Sequence, residues 1–289
     1  MKARSGKRLD FGAWSYEAVS ALLVAIFCII MIYPFIFVVS ASFSSPDALA
    51  RNEVTLLPAS PLSVQSYKLI FEDERIWNGY ANTIFYAVFG TVINLIVSIT
   101  AAYPMSVRGF NGQKFMNVFV SVTMFISATG MMVPLYLVVR SLGLLDTRLS
   151  VLIVFAAFPF YVILLRSFFQ TIPTEMTEAA RIDGASEWAI LTRVVLPVSG
   201  AALATIGLYY LINRWNGYFW AMVFLSDEAK HPLQVVLRKL IIVAQMGEEM
   251  DRAITQSATN AEAVKYATIV AATLPMAIIY PFIQKYFVK

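Results

Sequence analysis

The sequence has almost none of the residues that build metal, redox or nucleophilic centres. Its 289 residues include one cysteine, Cys28, and one histidine, His231. This composition excludes an intrachain disulfide framework and a metal site made of several Cys and His ligands. The segment "GFNGQK" is not a phosphate-binding loop, because its glycines are three residues apart and no Ser or Thr follows the lysine. We therefore expect no catalytic residue, no metal and no cofactor on this chain.

Charged residues are also scarce. They make up 14% of the chain and hydrophobic residues 59%, whereas an ordinary soluble domain has roughly 25% and 45–50%. A soluble fold of this length cannot bury so much apolar surface, so lipid must surround it. The apolar runs are continuous rather than alternating, which favours spanning helices over barrel strands. The net charge of +4 then reflects membrane topology, and nucleic acid is not an expected partner.

Six runs with few or no charges are long enough for the roughly 20 residues of a spanning helix. The sequence predicts an all-α integral membrane protein with one transmembrane domain, residues 1–289, and a cytoplasmic N-terminus, residues 1–17. The first run is too long for the core of a cleavable signal peptide. Lys and Arg are dense in "MKARSGKR" and in "RGFNGQK", which places both segments in the cytoplasm. The six spans are predicted at about 18–43, 82–106, 115–140, 149–170, 191–225 and 263–285.

No acidic or basic residue stands near the centre of a predicted span. A proton or ion relay requires buried ionisable groups, so an ion-coupled secondary carrier is a disfavoured alternative. A membrane enzyme is disfavoured as well, because one His and one Cys cannot supply convergent ligands or nucleophiles. A transport role without ion coupling is the interpretation that these absences leave.

A polar stretch interrupts the apolar sequence before the fifth span. The segment "EAARIDGASEWAILTRVVLP" is too polar to cross a bilayer and has regular helix signals. We predict a short cytoplasmic helix at about 174–184, capped by Thr174 and ended by Gly184 in the left-handed conformation. Ser186 is predicted to cap the helix that rises into the membrane. The stretch therefore predicts a helix, a sharp turn and a second helix.

The predicted short helix has two chemically different faces. Glu175 and Glu178 lie in its first turns, where the helix dipole favours negative charge. Met176, Ala179 and Ala180 form a small apolar face that allows another surface to approach closely. Such a helix either rests on lipid headgroups or docks against a protein, and the absence of large apolar anchors favours a protein. Glu178 and Arg181 are spaced to form a surface pair.

The stretch also matches a known motif. Its pattern of Glu-Ala-Ala, three residues, Gly, nine residues, an aliphatic residue, one residue and Leu-Pro resembles the cytoplasmic signature of permeases in binding-protein-dependent ABC importers. "NTIFYAVFGTVINLIVSITAAYPMS" and "RWNGYFWAMVFL" resemble spans of the maltose-type carbohydrate permeases. The final span resembles a subgroup that imports uronate oligosaccharides such as alginate. The signature positions are Glu178, Ala179, Ala180, Gly184, Val194, Leu196 and Pro197.

This resemblance implies half of an oligosaccharide path that works by alternating access in a bacterial cytoplasmic membrane. The implied partners are a second, different permease subunit, two ATP-binding subunits that carry ATP and Mg, an extracytoplasmic solute-binding protein and membrane lipid. The segment 246–263 corresponds in position to a family loop that reaches into the binding protein, or is an ordinary solvated loop. The resemblance makes the short helix a coupling helix that docks on the ATPase. Its implied docking residues are Glu175, Glu178, Ala179, Ala180, Asp183 and Gly184.

A path for a hydrated saccharide would be lined by polar and aromatic side chains. For each candidate in or beside a span, taken alone, helix packing is the favoured alternative. The segment from Asn213 to Tyr218 is the best placed, near the outer mouth of the fifth span. The candidates are Asn82, Asn94, Tyr103, Tyr136, Asn213, Trp215, Asn216 and Tyr218.

Overall fold

The structure, a computed structural model, describes residues 11–250 and 255–284. The regular structure of these residues is helical, with one isolated β-bridge between Ser44 and Leu62. The basic segment 1–8 and part of the outer segment 246–263, residues 251–254, lie outside the described residues. The chain forms two compact units, which are Met1–Glu72 with Ile241–Ala271, and Asp73–Leu240 with Ala272–Lys289.

The first unit begins with one long apolar helix. Helix α1 (Phe11–Ser42) is followed by α2 (Pro46–Ala50) and α3 (Gln65–Glu72). Large apolar side chains of α1 are exposed from Tyr16 to Val39; the side chain of Phe27, for example, is 62% exposed. A helix that is apolar on every face is suited to lipid. The hydroxyl of Tyr67 donates a 2.8 Å hydrogen bond to Ser42, which ties α3 to the end of α1.

The second unit is built around α4 (Glu74–Ser106). The carboxylate of Asp73 caps this helix by accepting from the backbone N–H of Arg75 at 2.9 Å. At about 1.5 Å per residue, its 33 residues exceed the roughly 30 Å thickness of a bilayer's hydrocarbon core. The next helices are α5 (Gln113–Thr123), α6 (Met132–Ser141), α7 (Arg148–Ile153) and α8 (Pro159–Phe169).

The polar stretch and the fifth predicted span form the rest of this unit, and the chain ends in two longer helices. A π-helical turn, Leu191–Val195, lies between α10 and α11. A 3₁₀ turn, Glu228–Lys230, precedes α14. The remaining helices are α9 (Thr174–Ile182), α10 (Glu187–Ile190), α11 (Leu196–Val198), α12 (Gly200–Asn216), α13 (Phe219–Phe224), α14 (Leu233–Met250) and α15 (Thr255–Gln284).

Three of the predicted spans are divided into several helices. The run 115–140 is divided between α5 and α6, and the run 149–170 is divided between α7 and α8. In the second of these runs Phe155 has a φ of 63° and Pro159 starts the new helix, so the backbone cannot continue as one helix. The run 191–225 bends by 84° between Glu187–Val198 and Gly200–Asn216. Continuous apolarity therefore did not produce continuous helices.

Long apolar helices support the membrane assignment. Among the described residues, Tyr16–Ser42 and Glu74–Ser106 are long and apolar enough to cross a bilayer. The bent pair makes a third span if it is taken as one crossing. The exact number of six spans stays a prediction. The shorter apolar helices are Met132–Ser141, Pro159–Phe169 and Ala263–Ile278.

Close packing of α4 against α12 and α8 forms the core of the second unit. Ala102 and Met105 of α4 are fully buried together with Tyr210 of α12 and Leu165 of α8. A Cβ at Gly90 would lie 2.8 Å from Nε of Arg214, so this glycine leaves the space that the arginine side chain occupies. Small residues at such crossings let helices approach closely.

We predict that Gly90→Ala destabilises the protein, because the added methyl group would force the Arg214 side chain out of its hydrogen bonds. Overpacking of this kind costs about 1–3 kcal/mol. Unfolding of the purified chain in detergent should occur at a lower denaturant concentration than for the wild type. Gly200→Ala is the matched control, because nothing lies within 4 Å of its Cβ position. Equal midpoints for the two variants would contradict the prediction.

Candidate functional site

The polar stretch forms a helix, a tight turn and a second helix. Helix α9 begins at Thr174, but its N-cap is Pro173 and no side chain caps it, so the predicted cap by Thr174 was wrong. Gly184 has a φ of 81°, and its N–H donates to the carbonyl of Arg181 at 3.0 Å. The predicted left-handed glycine is therefore present, and it allows the chain to reverse without strain. Ser186 accepts from the N–H of Ala189 at 3.3 Å and caps α10 as predicted.

One face of α9 is fully open. None of its residues is buried, and the side chain of Ile182 is 87% exposed. Ala180 is the exception among the predicted docking residues: it is half-buried and packs against the core of the bundle. The other predicted docking residues, Glu175, Glu178, Ala179, Asp183 and Gly184, are exposed. We call the exposed residues Glu175, Met176, Glu178, Ala179, Ile182 and Asp183 the α9 surface.

A hydrogen-bonded triad joins α9 to α10 and to the end of α4. Nε of Arg181 donates to Oε1 of Glu187 at 2.9 Å, and the hydroxyl of Tyr103 donates to Oε2 of Glu187 at 2.6 Å. The Glu187 carboxylate raises the pKa of Arg181 above its usual value by accepting this hydrogen bond. The salt bridge of Arg181 is therefore made with Glu187 and not with Glu178. Tyr103, a candidate for the path, lies instead at the end of α4 that contacts the polar stretch.

A cavity separates α9 from the ends of α4 and α8. Its volume is 370 Å³. Tyr103, Arg108 and Phe169 line one side, and Glu178 and Arg181 line the other. Near this end Arg166 and Gln113 both donate to the carbonyl of Met105, at 3.2 and 3.0 Å. Side chains from α5, α8 and α9 therefore converge on one end of α4.

Two other path candidates serve packing at the opposite end and in the middle of α4. Asn82 is buried, donates to the carbonyls of Ala229 and His231 and accepts from Arg148 at 3.0 Å. Asn94 is 0% exposed and donates to the carbonyl of Phe155 at 2.7 Å. These amide groups have all their contacts within the bundle, so they fit the packing alternative.

The candidates on and near α12 are arranged differently. Asn213 and Asn216 are exposed, and Asn213 lines a cavity of 170 Å³. Trp215 is 6% exposed, and its Nε1 has no partner among the described residues. Tyr218 is half-buried, with the guanidinium of Arg238 5.0 Å from its ring centre. Tyr136, on α6, is half-buried as well.

A charged side chain lies within the predicted fifth span, towards its end rather than near its centre. Arg214, in the last turn of α12, is partly buried. Its Nε donates to Oδ1 of Asn94 at 2.8 Å, and its Nη atoms donate to the carbonyls of Val151, Leu152 and Phe155. A guanidinium stays protonated in proteins, so this residue does not supply a proton relay. The sequence shows that Arg214 follows an apolar run that ends at Asn213, but it does not show which groups the guanidinium contacts.

The connection before α7 and the connection after α13 form a polar cluster of their own. Asp146, which precedes α7, accepts from the N–H groups of Ser226 and Asp227 at 3.1 and 3.0 Å. Lys230 lies 3.3 Å from Asp146 and 3.2 Å from Asp227. The backbone hydrogen bond from Asp227 is the largest cause that lowers the pKa of Asp146. Any stability from this carboxylate is present above its unfolded-state pKa and is lost as the pH falls through the lowered value.

Residues 94–289 match the model of a protein family described as the inner membrane component of binding-protein-dependent transport systems. The chain belongs to that family. It is therefore a permease subunit of an ABC importer and a multi-pass protein of the inner membrane. As a permease it is a transport subunit and not itself an enzyme.

Relatives with assigned substrates are similar over nearly the whole chain. The polygalacturonan/rhamnogalacturonan transport system permease YtcP of Bacillus subtilis is 38% identical over 264 residues, which cover 91% of each chain. The arabinooligosaccharide permease AraQ of Halalkalibacterium halodurans is 27% identical and covers 91% of this chain and 90% of its own. A crystal structure of a bacterial ABC transporter that imports the acidic polysaccharide alginate contains a chain with 41% identity and a TM-score of 0.85. That similarity covers 99% of this chain and 100% of the other.

We predict that Glu187→Ala makes the turn after α9 easier to open, because it removes the acceptor of both Arg181 and Tyr103. Exposed pairs contribute about 0–1 kcal/mol, so trypsin should cut after Arg181 up to roughly fivefold faster in the purified chain. Asp183→Ala is the matched control, since Asp183 is an exposed acid in the same turn. The same cleavage rate in both variants would show that the triad does not hold this segment.

Proposed function

We propose that this permease forms half of the path of an ATP-driven importer for acidic oligosaccharides, with α9 as its coupling helix. The observation that carries the proposal is the α9 surface, which is exposed and combines acidic with apolar side chains. Helix α9 also packs against the core of the bundle through Ala180. In contrast, helix α1 has no charged residue after Glu17, and its apolar side chains point in all directions, as contact with lipid requires. The mixed face therefore fits a protein partner better than lipid.

Contacts along α4 support the placement of the segment 229–233 and the polar stretch on opposite sides of the membrane. Its first half holds the segment 229–233, because Asn82 and Tyr86 donate to carbonyls there and Thr83 accepts from the N–H of Leu233. Its last residues contact the polar stretch through Tyr103. At about 1.5 Å per residue, the stretch of α4 between these two sets of contacts is roughly 26–32 Å long, which is close to the hydrocarbon thickness of a bilayer. Alternation of six spans agrees with this arrangement, and the short basic connection at Arg108 supports a cytoplasmic position for the α9 end.

The mechanism that we propose is alternating access driven by a separate subunit. ATP and Mg bind to two ATP-binding subunits, whose closure moves α9 as a rigid body. The triad of Arg181, Glu187 and Tyr103 passes this movement to α10 and to α4. A second, different permease completes the path, and an extracytoplasmic binding protein delivers the substrate to its outer end. Two-state rocking of packed helices is a known form of such transitions.

The substrate class follows from the relatives. One similar permease is named for polygalacturonan and rhamnogalacturonan, and the similar solved structure is named for alginate import. Both names refer to uronate-containing polysaccharides. We propose an oligosaccharide with carboxylate groups as the substrate of this chain. Asn82 and Asn94 pack helices, Tyr103 bonds to Glu187 and Trp215 is buried. The path candidates that we retain are Tyr136, Asn213, Asn216 and Tyr218.

We predict that Gly184→Val abolishes co-purification of the ATPase with this chain while the chain still inserts into the membrane. A β-branched residue at a φ of 81° distorts the turn that orients the α9 surface. Gly143→Val is the matched control, because Gly143 has a φ of 66° with open space around it and lies in the connection after α6. Both variants carry similar strain, of about 1–2 kcal/mol.

The control decides the interpretation of that experiment. If the ATPase co-purifies with Gly143→Val but not with Gly184→Val, docking depends on the turn after α9. Normal assembly and uptake with Gly184→Val would exclude α9 as the coupling helix.

We also predict that the purified chain alone hydrolyses no ATP and that the assembled transporter does. Phosphate release from ATP and Mg measures both, with the chain alone and the complex at equal concentration. Appreciable turnover by the isolated chain would contradict the assignment of hydrolysis to a separate subunit.

A further inference from the structure

The cavity beside α12 combines features that the transport mechanism above does not use. It lies within the second unit and has a volume of 170 Å³. Pockets that enclose a whole small ligand have roughly 300–1,000 Å³, so this one fits a single unit of a longer chain. We call it the Arg214 cavity; its walls include Phe155, Phe158, Asn213, Arg214 and Trp220.

The charge of Arg214 has no carboxylate partner among the described residues. Its hydrogen bonds go to the amide oxygen of Asn94 and to the carbonyls of Val151, Leu152 and Phe155. These four bonds use four of the five N–H groups of a guanidinium and leave one on Nη1. Neutral acceptors solvate the cation without cancelling its charge. Arg214 lines the cavity and is half-buried, so the wall keeps a positive charge that bulk water screens only in part.

The backbone around the arginine is shaped to hold it. Val151 and Leu152 belong to the last turn of α7, where free carbonyls point past the end of the helix. Phe155 follows with a φ of 63°, a conformation that is rare for a bulky residue. Such outliers persist where the surroundings enforce them and are frequent at functional sites. The break between α7 and α8 thus both binds Arg214 and forms one wall of the cavity.

Aromatic rings form the other part of the wall. The rings of Phe155 and Trp220 are 5.1 Å apart, and those of Phe155 and Phe158 are 5.9 Å apart. Rings of this kind present apolar faces against which the C–H groups of a sugar ring pack. Asn213 is exposed at the rim and offers an amide to sugar hydroxyl groups. A cation, an aromatic wall and an amide are the groups that a uronate unit requires.

We infer that the Arg214 cavity is a subsite that binds the carboxylate of one uronate unit as the oligosaccharide moves along the path. This inference rests on the proposed function. A single free donor with one positive charge suits one carboxylate and permits release, whereas a bidentate clamp with two arginines would hold the substrate. The subsite also distinguishes acidic from neutral sugars, because a neutral unit gains nothing from the charge.

The test measures binding to the assembled transporter in nanodiscs without its binding protein. The probes are trigalacturonate and its trimethyl ester, which differ in charge, and saturation-transfer NMR gives the Kd of each. We expect the wild type to bind the acid more tightly than the ester. Arg214→Gln should weaken binding of the acid by roughly tenfold and leave the ester unchanged, as expected for the loss of a charged hydrogen bond. Arg140→Gln, an exposed arginine on α6, is the control for loss of one positive charge.

A second variant keeps the test decisive if Arg214→Gln fails to assemble. Asn213→Asp is nearly isosteric, lies at an exposed position and breaks none of the bonds of Arg214. Its added negative charge should weaken binding of the acid and spare the ester, and Asn213→Ser should change the Kd ratio of the two probes much less. An equal Kd ratio in the wild type and Asn213→Asp would overturn the subsite.

Uptake separates the inference from the proposed function. If proteoliposomes with the full transporter take up trigalacturonate but the wild type binds neither probe in nanodiscs, the proposed function stands and the subsite is wrong. If no ATP-dependent uptake of any acidic oligosaccharide occurs, the proposed substrate class itself fails.

Discussion

The hydrogen bonding of one guanidinium organises the middle of the second unit. A charged group inside an apolar bundle is costly unless polar groups replace its water. Arg214 finds those groups at the carbonyls of the α7 end and at Asn94, so the break after α7 and the asparagine on α4 belong to one arrangement. Gly90 completes it, because any side chain there would meet the arginine. The predicted fourth span is interrupted where the cation needs free carbonyls.

Helix α4 connects this arrangement to the end of the bundle that contacts the polar stretch. The helix carries Asn94 to Arg214 and Tyr103 to Glu187, nine residues apart on one continuous element. Interiors packed like solids transmit displacement rather than absorb it. If α9 is the coupling helix, as we propose, its movement reaches the neighbourhood of the Arg214 cavity through the triad and α4. This gives a physical basis for coupling at one end of the bundle to substrate handling nearer the other.

Exposed apolar residues have different meanings in different parts of this protein. Those of α1 continue around the whole helix, as lipid contact requires. Those of α9, such as Met176 and Ile182, alternate with carboxylates, which lipid does not favour. Membership of the permease family gives both surfaces a partner, the bilayer for α1 and, as we propose, the ATPase for α9.

The sequence by itself determined the features that depend on neighbours a few residues away. Apolar runs marked the membrane helices, Gly184 marked the left-handed turn and Ser186 marked the cap, because each of these is set within one helical turn. The tertiary structure alone decided which distant groups meet. Tyr103 and Glu187 are 84 residues apart, and Asn94 and Arg214 are 120 apart. Helix packing brings such pairs together, and no local sequence pattern predicts which residues will meet. Helix packing also determines the inward position of Ala180 and the breaks in three apolar runs.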